Sequence, residues 1–326
     1  MILILNCGSQ SIKWKVFNSK LRLEDQGKKE VYKRSAFNKV LKKELKGIKN
    51  IHLIGHRVVH GGDYFRKPVK IDYSVLRKLN KVKKLAPLHN PYNILGIKAS
   101  RKIFPKAEQI AVFDTEFYKD LPEIASIYAL PDNLRNKYKK FGFHGISHEY
   151  ALNKAAKILK KPIKDINIIS CHLGGGSSIT AVKKGKAIDT SMGYTPLEGV
   201  AMMTRAGDID PGIILELVNR YGLKEVKNIL NNKSGLKALS SESEMLKILK
   251  SRNKKCRLAL DYFVYRIKKY IGAYQTILGN VDALVFTGTI GAGDPKTRKL
   301  ISKNIKIKTM VIKPNEELAI AEKLIL

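Results

Sequence analysis

Between Asp114 and Asp210 the chain crowds glycine, histidine, arginine and carboxylate side chains into AVFDTEFY, FGFHGISH, CHLGGGSS and SMGYTPLEGVAMMTRAGDIDP. Glycine turns offer backbone N–H groups to phosphate oxygens, a fixed guanidinium neutralises a transferring phosphoryl group, and carboxylates face a metal. Phosphoryl transfer is the chemistry those types suit together. Arg205 precedes Gly207-Asp208-Ile209-Asp210-Pro211. It either faces a phosphoryl group or pairs with Asp208 or Asp210. Arg57 carries a fork suited to a carboxylate or a phosphate, unless it is a surface arginine. His56 and His60 have the spacing of a helical metal pair, but RVVH reads as strand, so no metal is expected there. His144, between Phe143 and Gly145, can donate a hydrogen bond to a planar phosphoryl group or can serve only its turn. Asp114 ends an apolar strand, where a carboxylate is costly to bury unless it is paired or faces a metal. The Walker A pattern is absent.

These residues need a frame. A length of 326 residues suggests two domains with sizeable cores. No apolar run is long enough to cross a bilayer. MILILNCGSQ lacks a basic region and a cleavage site and reads as a first strand. Cys7, Cys171 and Cys256 are odd in number and widely spaced, which argues against a disulfide framework or a zinc site and suits a reducing cytoplasm. The formal charge is +34, from 49 Lys and 13 Arg against 28 acids. Nucleic-acid readers cluster their charge and use Arg at bases. Here Lys is spread along the whole chain, as on a solvated lysine surface, so neither a specific nucleic acid nor a membrane is expected as a partner. Duplex DNA should bind weakly and be lost at moderate salt.

Residues 2–18 alternate as a hairpin about Gly8. Residues 20–50 are Lys-rich and hard to read, with room for a strand and a helix. Residues 51–62 resume strand character. SVLRKLNKVKKLAP and the stretch opened by Asn90-Pro91 read as helices, and AEQIAVFDT as a strand. In the second half a helix from Ser147 precedes another glycine hairpin. A helical region follows from about Gly212 to Ile248, then a periodic helix over 256–278. VDALVFTGTIGAGDPKTRKLI reads as strand, glycine turn and helix, KTMVIKP as a last strand. A closing helix takes Asn315 as its N-cap. Gly8-Ser9-Gln10-Ser11-Ile12 matches Gly175-Gly176-Ser177-Ser178-Ile179, each at a hairpin turn early in its half. A duplicated α/β architecture with ligands between the halves follows.

The motifs NCGSQSIKWKVF, GHRVVHGG, LAPLHNP, AVFDTEF, YALPDNL, FGFHGISH, CHLGGGSS, DTSMGYTPLEG, TRAGDIDP, YRIKKYIGAY and NEELAIA resemble, in that order, the acetate kinase family. The resemblance covers nearly the whole chain except residues 19–50, where the family usually carries a longer segment. It implies an α/β, duplicated actin/hexokinase-like (ribonuclease H-like) two-domain fold with an interdomain cleft. The expected domains are residues 1–119 plus 317–326 for acyl group and phosphate, and 120–316 for nucleotide. It implies phosphoryl transfer between ATP and a short-chain carboxylate, ADP as the other product, Mg2+ as cofactor, and a homodimer. Closure of the domains would exclude water from the reaction. Arg57 takes a substrate-carboxylate role, Arg205 and His144 act on the transferring phosphoryl group, and Asp114 has an active-site role. Acetate is already ionised at pH 7, so Asp114 would orient substrate or metal-bound water. Val59, Leu88, His89 and Phe143 belong to the acyl site. Val59 and Leu88 suggest an apolar pocket of unspecified volume. Ser11 and Lys13 line the first hairpin, where Lys13 and Trp14 must face opposite ways. His172, Leu173, Gly174, Gly175 and Gly176 form the phosphate hairpin, although His172 could simply pack there. Asn6 and Glu316 would hold magnesium through oxygen. An acid in the first turn of a helix, as Glu316 is, also suits the helix dipole.

Three positions depart from the family pattern. Gly175 replaces Asn. The nucleotide loop Gly-Ile-Gly-Glu-Asn is Thr289-Ile290-Gly291-Ala292-Gly293, putting a β-branched residue where backbone approaches adenosine. The Ser-Asp-X-Arg segment is Ser241-Glu242-Ser243-Glu244, an acid in place of a cation. The phosphate and acyl ends are intact. The expectation is an acetate kinase, with a propionate or butyrate kinase, a pyrophosphate-dependent kinase and a binding protein without turnover as alternatives. Arg57→Ala and Arg205→Ala should each remove turnover with the fold kept.

Overall fold

The protein is described here from a computed structural model covering residues 1–9, 11–31 and 34–325. Gln10 in the first hairpin and the terminal Leu326 lie outside the described residues. In chain order the first elements are β1 (Ile2–Cys7), β2 (Ser11–Phe17), β3 (Leu23–Glu30), α1 (Phe37–Leu45), β4 (Leu53–Val58) and β5 (Val69–Lys70). Next come α2 (Tyr73–Val82), α3 (Asn90–Ile103), β6 (Glu108–Phe113), α4 (Glu123–Ser126), α5 (Asp132–Arg135) and α6 (Gly145–Leu159). Then follow β7 (Ile168–Leu173), β8 (Ser177–Lys183), β9 (Lys186–Thr190), α7 (Pro211–Asn228), α8 (Gly235–Ser240) and α9 (Met245–Lys250). The chain closes with α10 (Lys254–Leu278), β10 (Ala283–Thr287), α11 (Gly288–Gly293), α12 (Pro295–Ser302), β11 (Thr309–Val311) and α13 (Glu316–Ile325).

Two compact units result. The first is Met1–Lys119, Phe143–Ile146 and Asn315–Leu326; the second is Asp120–Gly142 and Ser147–Pro314. Phe143–Ile146 thus joins the first unit although its sequence neighbours belong to the second, and Asn315 and Glu316 join it with the rest of α13.

The first unit holds a sheet of order β3-β2-β1-β4-β6-β5, the second one of order β11-β10-β7-β8-β9. β1, β2 and β3 pair antiparallel, while β4 runs parallel to β1 and β6 parallel to β4. In the second unit β7, β8 and β9 pair antiparallel, while β10 runs parallel to β7 and β11 parallel to β10. The order 3-2-1-4-6 is therefore repeated as 9-8-7-10-11. The repeat reaches the residues that matched in the sequence: Cys7 pairs with Ile12, and Cys171 with Ile179.

The unreadable Lys-rich segment is β3 followed by α1. β3 is an exposed charged edge strand, a composition that discourages pairing with other chains. Its Gly27 lies where any Cβ would meet the Trp14 ring. Phe37, Leu41 and Leu45 recur on one side of α1 and join the core with Leu3, Leu5, Ile12 and Trp14. In the second unit the 3–4 spacing of Cys256, Ala259, Phe263, Ile267, Ile271, Tyr274 and Leu278 makes the buried stripe of α10. Each large side chain of that stripe contributes roughly 1.5–3 kcal/mol on burial.

Two segments differ from their sequence reading. Residues 212–248 are not one helical run: Gly222 breaks α7 with φ +76°, and α8 and α9 are separate short helices. The stretch after β10 is a helix, α11, rather than a turn. Gly288, at φ +82°, makes the entry, and a Cβ there would meet Leu173 backbone. Among the described residues no helix is long and apolar enough to cross a membrane.

His56 and His60 are enclosed in the first unit, and burial pulls both down from the usual 6.5 to about 4. His56 Nε2 bonds the Gln109 amide oxygen at 2.9 Å. Because the folded pKa lies below the unfolded one, this stabilisation is complete above pH 6.5 and lost as pH falls toward 4. At pH 5 each histidine should cost about 2 kcal/mol. Urea melts at pH 7 and pH 5 measure the loss, and His56→Gln should reduce it.

Candidate functional site

Parallel pairing brings the C-terminal ends of β1, β4 and β6 to one edge of the first sheet, where open α/β sheets bind ligands. Asn6 lies near the end of β1, Arg57 near the end of β4, and Asp114 follows β6. The Arg57 fork donates from Nε to Asp114 Oδ1 at 3.1 Å and from Nη2 to Oδ2 at 2.7 Å. Its Nη1 lies 2.9 Å from Glu316 Oε2, to which Asn6 Nδ2 also donates at 3.4 Å. Burial acts to lower the Arg57 pKa, but Asp114 and Glu316 outweigh it and the net shift is upward. Burial raises the Asp114 pKa, and Arg57 pulls the other way. Arg57 is therefore part of the framework as well as of the site. Its replacement by alanine would strand two carboxylates, which corrects the expectation that the fold would not notice.

α13 delivers Glu316. Asn315 caps it, its Oδ1 accepting from Leu318 N at 3.3 Å. Lys15 Nζ donates to the same Oδ1 at 2.7 Å and pairs with Glu317 at 3.5 Å, while Lys323 pairs with Glu116. Lys13 lies across the ladder from Asn6 and is exposed, with Trp14 buried beneath, as the alternation predicts. Ser11 begins the same strand.

His144 has a left-handed backbone, φ +58°, rare for a non-glycine residue. Gly145 explains the approach: its N–H donates to the Asp114 carbonyl at 2.9 Å, and a Cβ would collide with that oxygen. Phe143 is buried, its carbonyl accepting from the Tyr118 hydroxyl at 2.8 Å and its ring edge-on to His60 at 5.4 Å. The FHG tripeptide is thereby held against Asp114. Val59 is buried, whereas Leu88 is 44 % exposed, so of these two apolar candidates Val59 alone is enclosed. His89 precedes α3 without making a side-chain cap.

Sequence reasoning missed the two asparagines that hold the chain after β4. Asn90 bonds both N–H and C=O of His60, and Asn93 accepts from Val59 N and donates to the Cys7 carbonyl. Their signal was the pair of buried amides three residues apart at the start of α3.

The second unit carries the glycine hairpin and Arg205. His172 is the next-to-last residue of β7, its Nδ1 2.8 Å from Ser147 Oγ. His148 bonds Ser170 and Ser178 hydroxyls at 2.8 Å each, and burial, aided by His172, holds its pKa well below the usual value. This hydroxyl–imidazole network draws Ser147 from α6, Ser170 from β7 and Ser178 from β8, and had no local sequence signal. Leu173 leads into the turn, where Gly174 N lies 3.3 Å from Ser177 Oγ. A Cβ on Gly175 would meet nothing within 4 Å, so the family's asparagine would fit as well. The Gly175 carbonyl accepts from Met203 N at 3.3 Å, which ties this turn to the Arg205 segment.

Arg205 itself has a Met202 sulfur at 3.7 Å from Nη1 and no carboxylate partner among the described residues. Burial lowers its pKa. Asp208 is taken by Arg266 at 2.6 Å, Tyr270 and the Gly199 N–H. Asp210 caps α7, accepting from Gly212 N at 2.6 Å. Of the two sequence readings of Arg205, the ion pair with these acids is not formed, and Asp210 is a turn residue.

The Thr289 side chain is exposed, and a Cβ on Gly174 would lie 3.2 Å from its hydroxyl. Ile290 is buried, and Gly291 packs on Cys171 and Leu173. Arg298 bonds the carbonyls of Gly291 and Ala292, and Gly293 ends the helix. Glu244 is exposed ahead of α9 and pairs with Lys247 at 3.2 Å.

Among the described residues no cluster of three His, Cys, Asp or Glu side chains is arranged to hold a metal alone. The Asn6 side-chain carbonyl and the Glu316 carboxylate are hard oxygen donors on one edge, whereas both Asp114 oxygens are taken by Arg57. That set fits a magnesium ion that keeps waters and takes its remaining ligands from phosphate.

The profile of the Acetokinase family matches residues 28–323. An acetate kinase of Dictyoglomus thermophilum is 41% identical, covering 99% of this chain and 91% of its own. The crystal structure of a Porphyromonas gingivalis acetate kinase is similar with a TM-score of 0.89 at 34% identity, over 98% of both chains. That of a propionate kinase from Francisella tularensis has a TM-score of 0.91 at 36% identity, over 99% of this chain and 98% of that one.

Proposed function

The chain belongs to the acetokinase family, and from that premise we propose how its own residues carry a reversible phosphoryl transfer. It is a phosphotransferase with a carboxyl group as acceptor, an acetate kinase. We assign ATP and ADP as the nucleotide pair and Mg2+ as the ion, which would be held by Asn6 and Glu316 and supply charge neutralisation on the phosphates. The first unit takes the acyl acceptor: Arg57 orients the carboxylate while Asp114 fixes its fork, and Val59 and Phe143 supply apolar surface, with Leu88 and His89 at the margin. His144 donates a hydrogen bond to the phosphoryl group. The second unit takes the nucleotide through His172, Leu173, the glycines 174–176 and the segment Thr289–Gly293. Ser11 and Lys13 contribute to phosphate from the first hairpin. Arg205 stabilises the equatorial oxygens in the transition state.

One observation supports this most directly: Arg205 is a partly buried guanidinium without a carboxylate partner among the described residues, on the segment bonded to the glycine turn. A cation left so needs an anion from outside. The test is a hydroxamate assay with acetate, propionate and butyrate against ATP, GTP and pyrophosphate. Acetate with ATP should give the highest kcat/KM. No acyl phosphate from any pair would leave a binding protein.

A propionate preference is the second reading, favoured by the Francisella likeness. Thr289 bears on the donor. If its side chain crowds adenosine, Thr289→Gly should tighten ATP binding while leaving pyrophosphate unchanged. Equal ATP affinity in both proteins would make the substitution neutral.

We also assign a homodimer and a place in the cytoplasm. The segment Pro211–Asn228 supports the dimer: Ile213, Leu215 and Tyr221 before the break at Gly222, and Leu223 after it, are exposed. Leu215→Glu with Leu223→Glu should halve the mass seen by analytical ultracentrifugation. An unchanged mass would place the interface elsewhere.

A further inference from the structure

In the first unit a groove lies among α1, α2 and α3, with Asn38 and Lys42 supplied by the segment in which this chain departs from its resemblance. α1 and α2 both pack on α3, which leaves a groove of about 650 Å³ with α3 as floor. Its apolar part is Leu76, Leu95, Ala99 and Ile103. Lys42, Arg77, Lys98, Arg101 and Lys102 surround that floor, and the lining contains no carboxylate. None of the five makes an ion pair with a described residue. Asp72, the acid next to Tyr73, is occupied in capping α2.

Helical spacing puts these groups together. Tyr73, Leu76, Arg77 and Asn80 share one side of α2, Leu95, Lys98, Ala99 and Lys102 one side of α3, and Asn38 and Lys42 one side of α1. The other side of α3 carries Asn90, Asn93 and Ile97, which are buried. The groove therefore opens away from the residues assigned to acyl transfer, and shares none of them.

Five cations around an apolar floor select an amphipathic polyanion. Three further features narrow its chemistry. The volume is that of a pocket for one small organic molecule. Tyr73 is 83 % exposed at the edge, an open ring face for stacking. Asn38 brings an amide, and Asn80, whose Nδ2 donates to the Leu76 carbonyl at 2.9 Å, an amide oxygen, which can pair with the polar edge of a heterocycle. We propose that this groove is a second anion site that takes a nucleoside polyphosphate, base on Tyr73 and the apolar floor, phosphates on the lysines and arginines. Binding there involves no covalent step. It does not depend on the assignment of the catalytic nucleotide, because the residues belong to a different unit from the glycine hairpin.

The experiment uses the full chain with Tyr73→Trp as reporter. The natural chain has one Trp, the buried Trp14, so the new indole gives a separate exposed signal. ADP, adenosine and inorganic tripolyphosphate are titrated by fluorescence, with the unsubstituted protein subtracted. ADP should quench saturably. Arg77→Ser with Lys98→Ser in the same background should raise its Kd at least about tenfold, since two charge-assisted contacts are removed. Hydroxamate turnover should be unchanged in that variant, because none of the three positions touches the acyl-transfer residues. Absence of saturable quenching overturns the site. Tripolyphosphate binding as tightly as ADP overturns the nucleotide as its occupant, and adenosine doing so overturns the role of the cations. An ADP response that survives both substitutions would come from the glycine hairpin instead, and would also overturn the groove.

Discussion

Arg205→Ala should lower kcat by about 10³–10⁵-fold, the range isolated for guanidinium groups on transferring phosphoryl groups, while its thermal unfolding stays within error of the parent. Both halves of that expectation come from one geometry. Arg205 is partly buried, bonds the Met202 sulfur and pairs with no carboxylate among the described residues, so its replacement breaks no ion pair and strands no carboxylate there. The folded protein even loses a desolvation cost. The group should matter only when a phosphoryl group stands before it, which is the condition for transition-state rather than ground-state stabilisation. KM for acetate should therefore change little. Arg205→Lys keeps the charge without the planar fork and should recover only part of the rate. The hydroxamate assay and a melting curve on the same preparations read both quantities. Near-normal turnover in the alanine variant would remove Arg205 from the mechanism, and a large fall in melting temperature would make it a structural residue.

Much of this site could be read in the chain because its parts are local. The glycine hairpins, the apolar strand ending at Asp114 and the periodic stripe of α10 each announce themselves within a few residues. The repeat of Gly8–Ile12 in Gly175–Ile179 foretold the duplicated strand order, because a hairpin turn occupies the same place in both sheets. Long-range pairing could not be read. Nothing near Arg57 says that one side of its fork is closed by Glu316 from the far end of the chain, or that Asp208 belongs to Arg266 and Tyr270. Edge strand β3 was obscure because both faces are exposed, so no alternation survives in its sequence. GTIGAG was read as a turn from its glycines. Gly288 serves close packing against the Leu173 backbone instead, so a helix can begin where loop composition suggested none.

Arg57→Ala is the sharpest test of the first unit, and its effects should divide between stability and turnover. Arg57 donates to both oxygens of Asp114, whose side chain is 2 % exposed, and to Glu316. Removing one partner of a buried pair costs about 3–5 kcal/mol, chiefly because the remaining charge has no counter-ion. The variant should also have almost no acetate-dependent turnover, so activity alone cannot separate an unfolded enzyme from an inactive one. Asp114→Asn in the same background separates them. It removes the stranded charge and should restore much of the lost stability, while turnover stays absent because nothing orients the carboxylate. The pH dependence gives a second, independent reading. Without Arg57, burial and Glu316 both raise the Asp114 pKa above its unfolded value, so the folded state binds the extra proton. Stability of the single variant, relative to the parent, should then improve as pH falls from 7 toward 5 and worsen as it rises. The double variant should not show that relative gain. Urea midpoints for the parent and both variants at the two pH values decide the matter. If the single variant tracks the parent at both, Asp114 does not depend on Arg57 for its charge, and the ion pair at the strand ends is not what holds this edge of the sheet together.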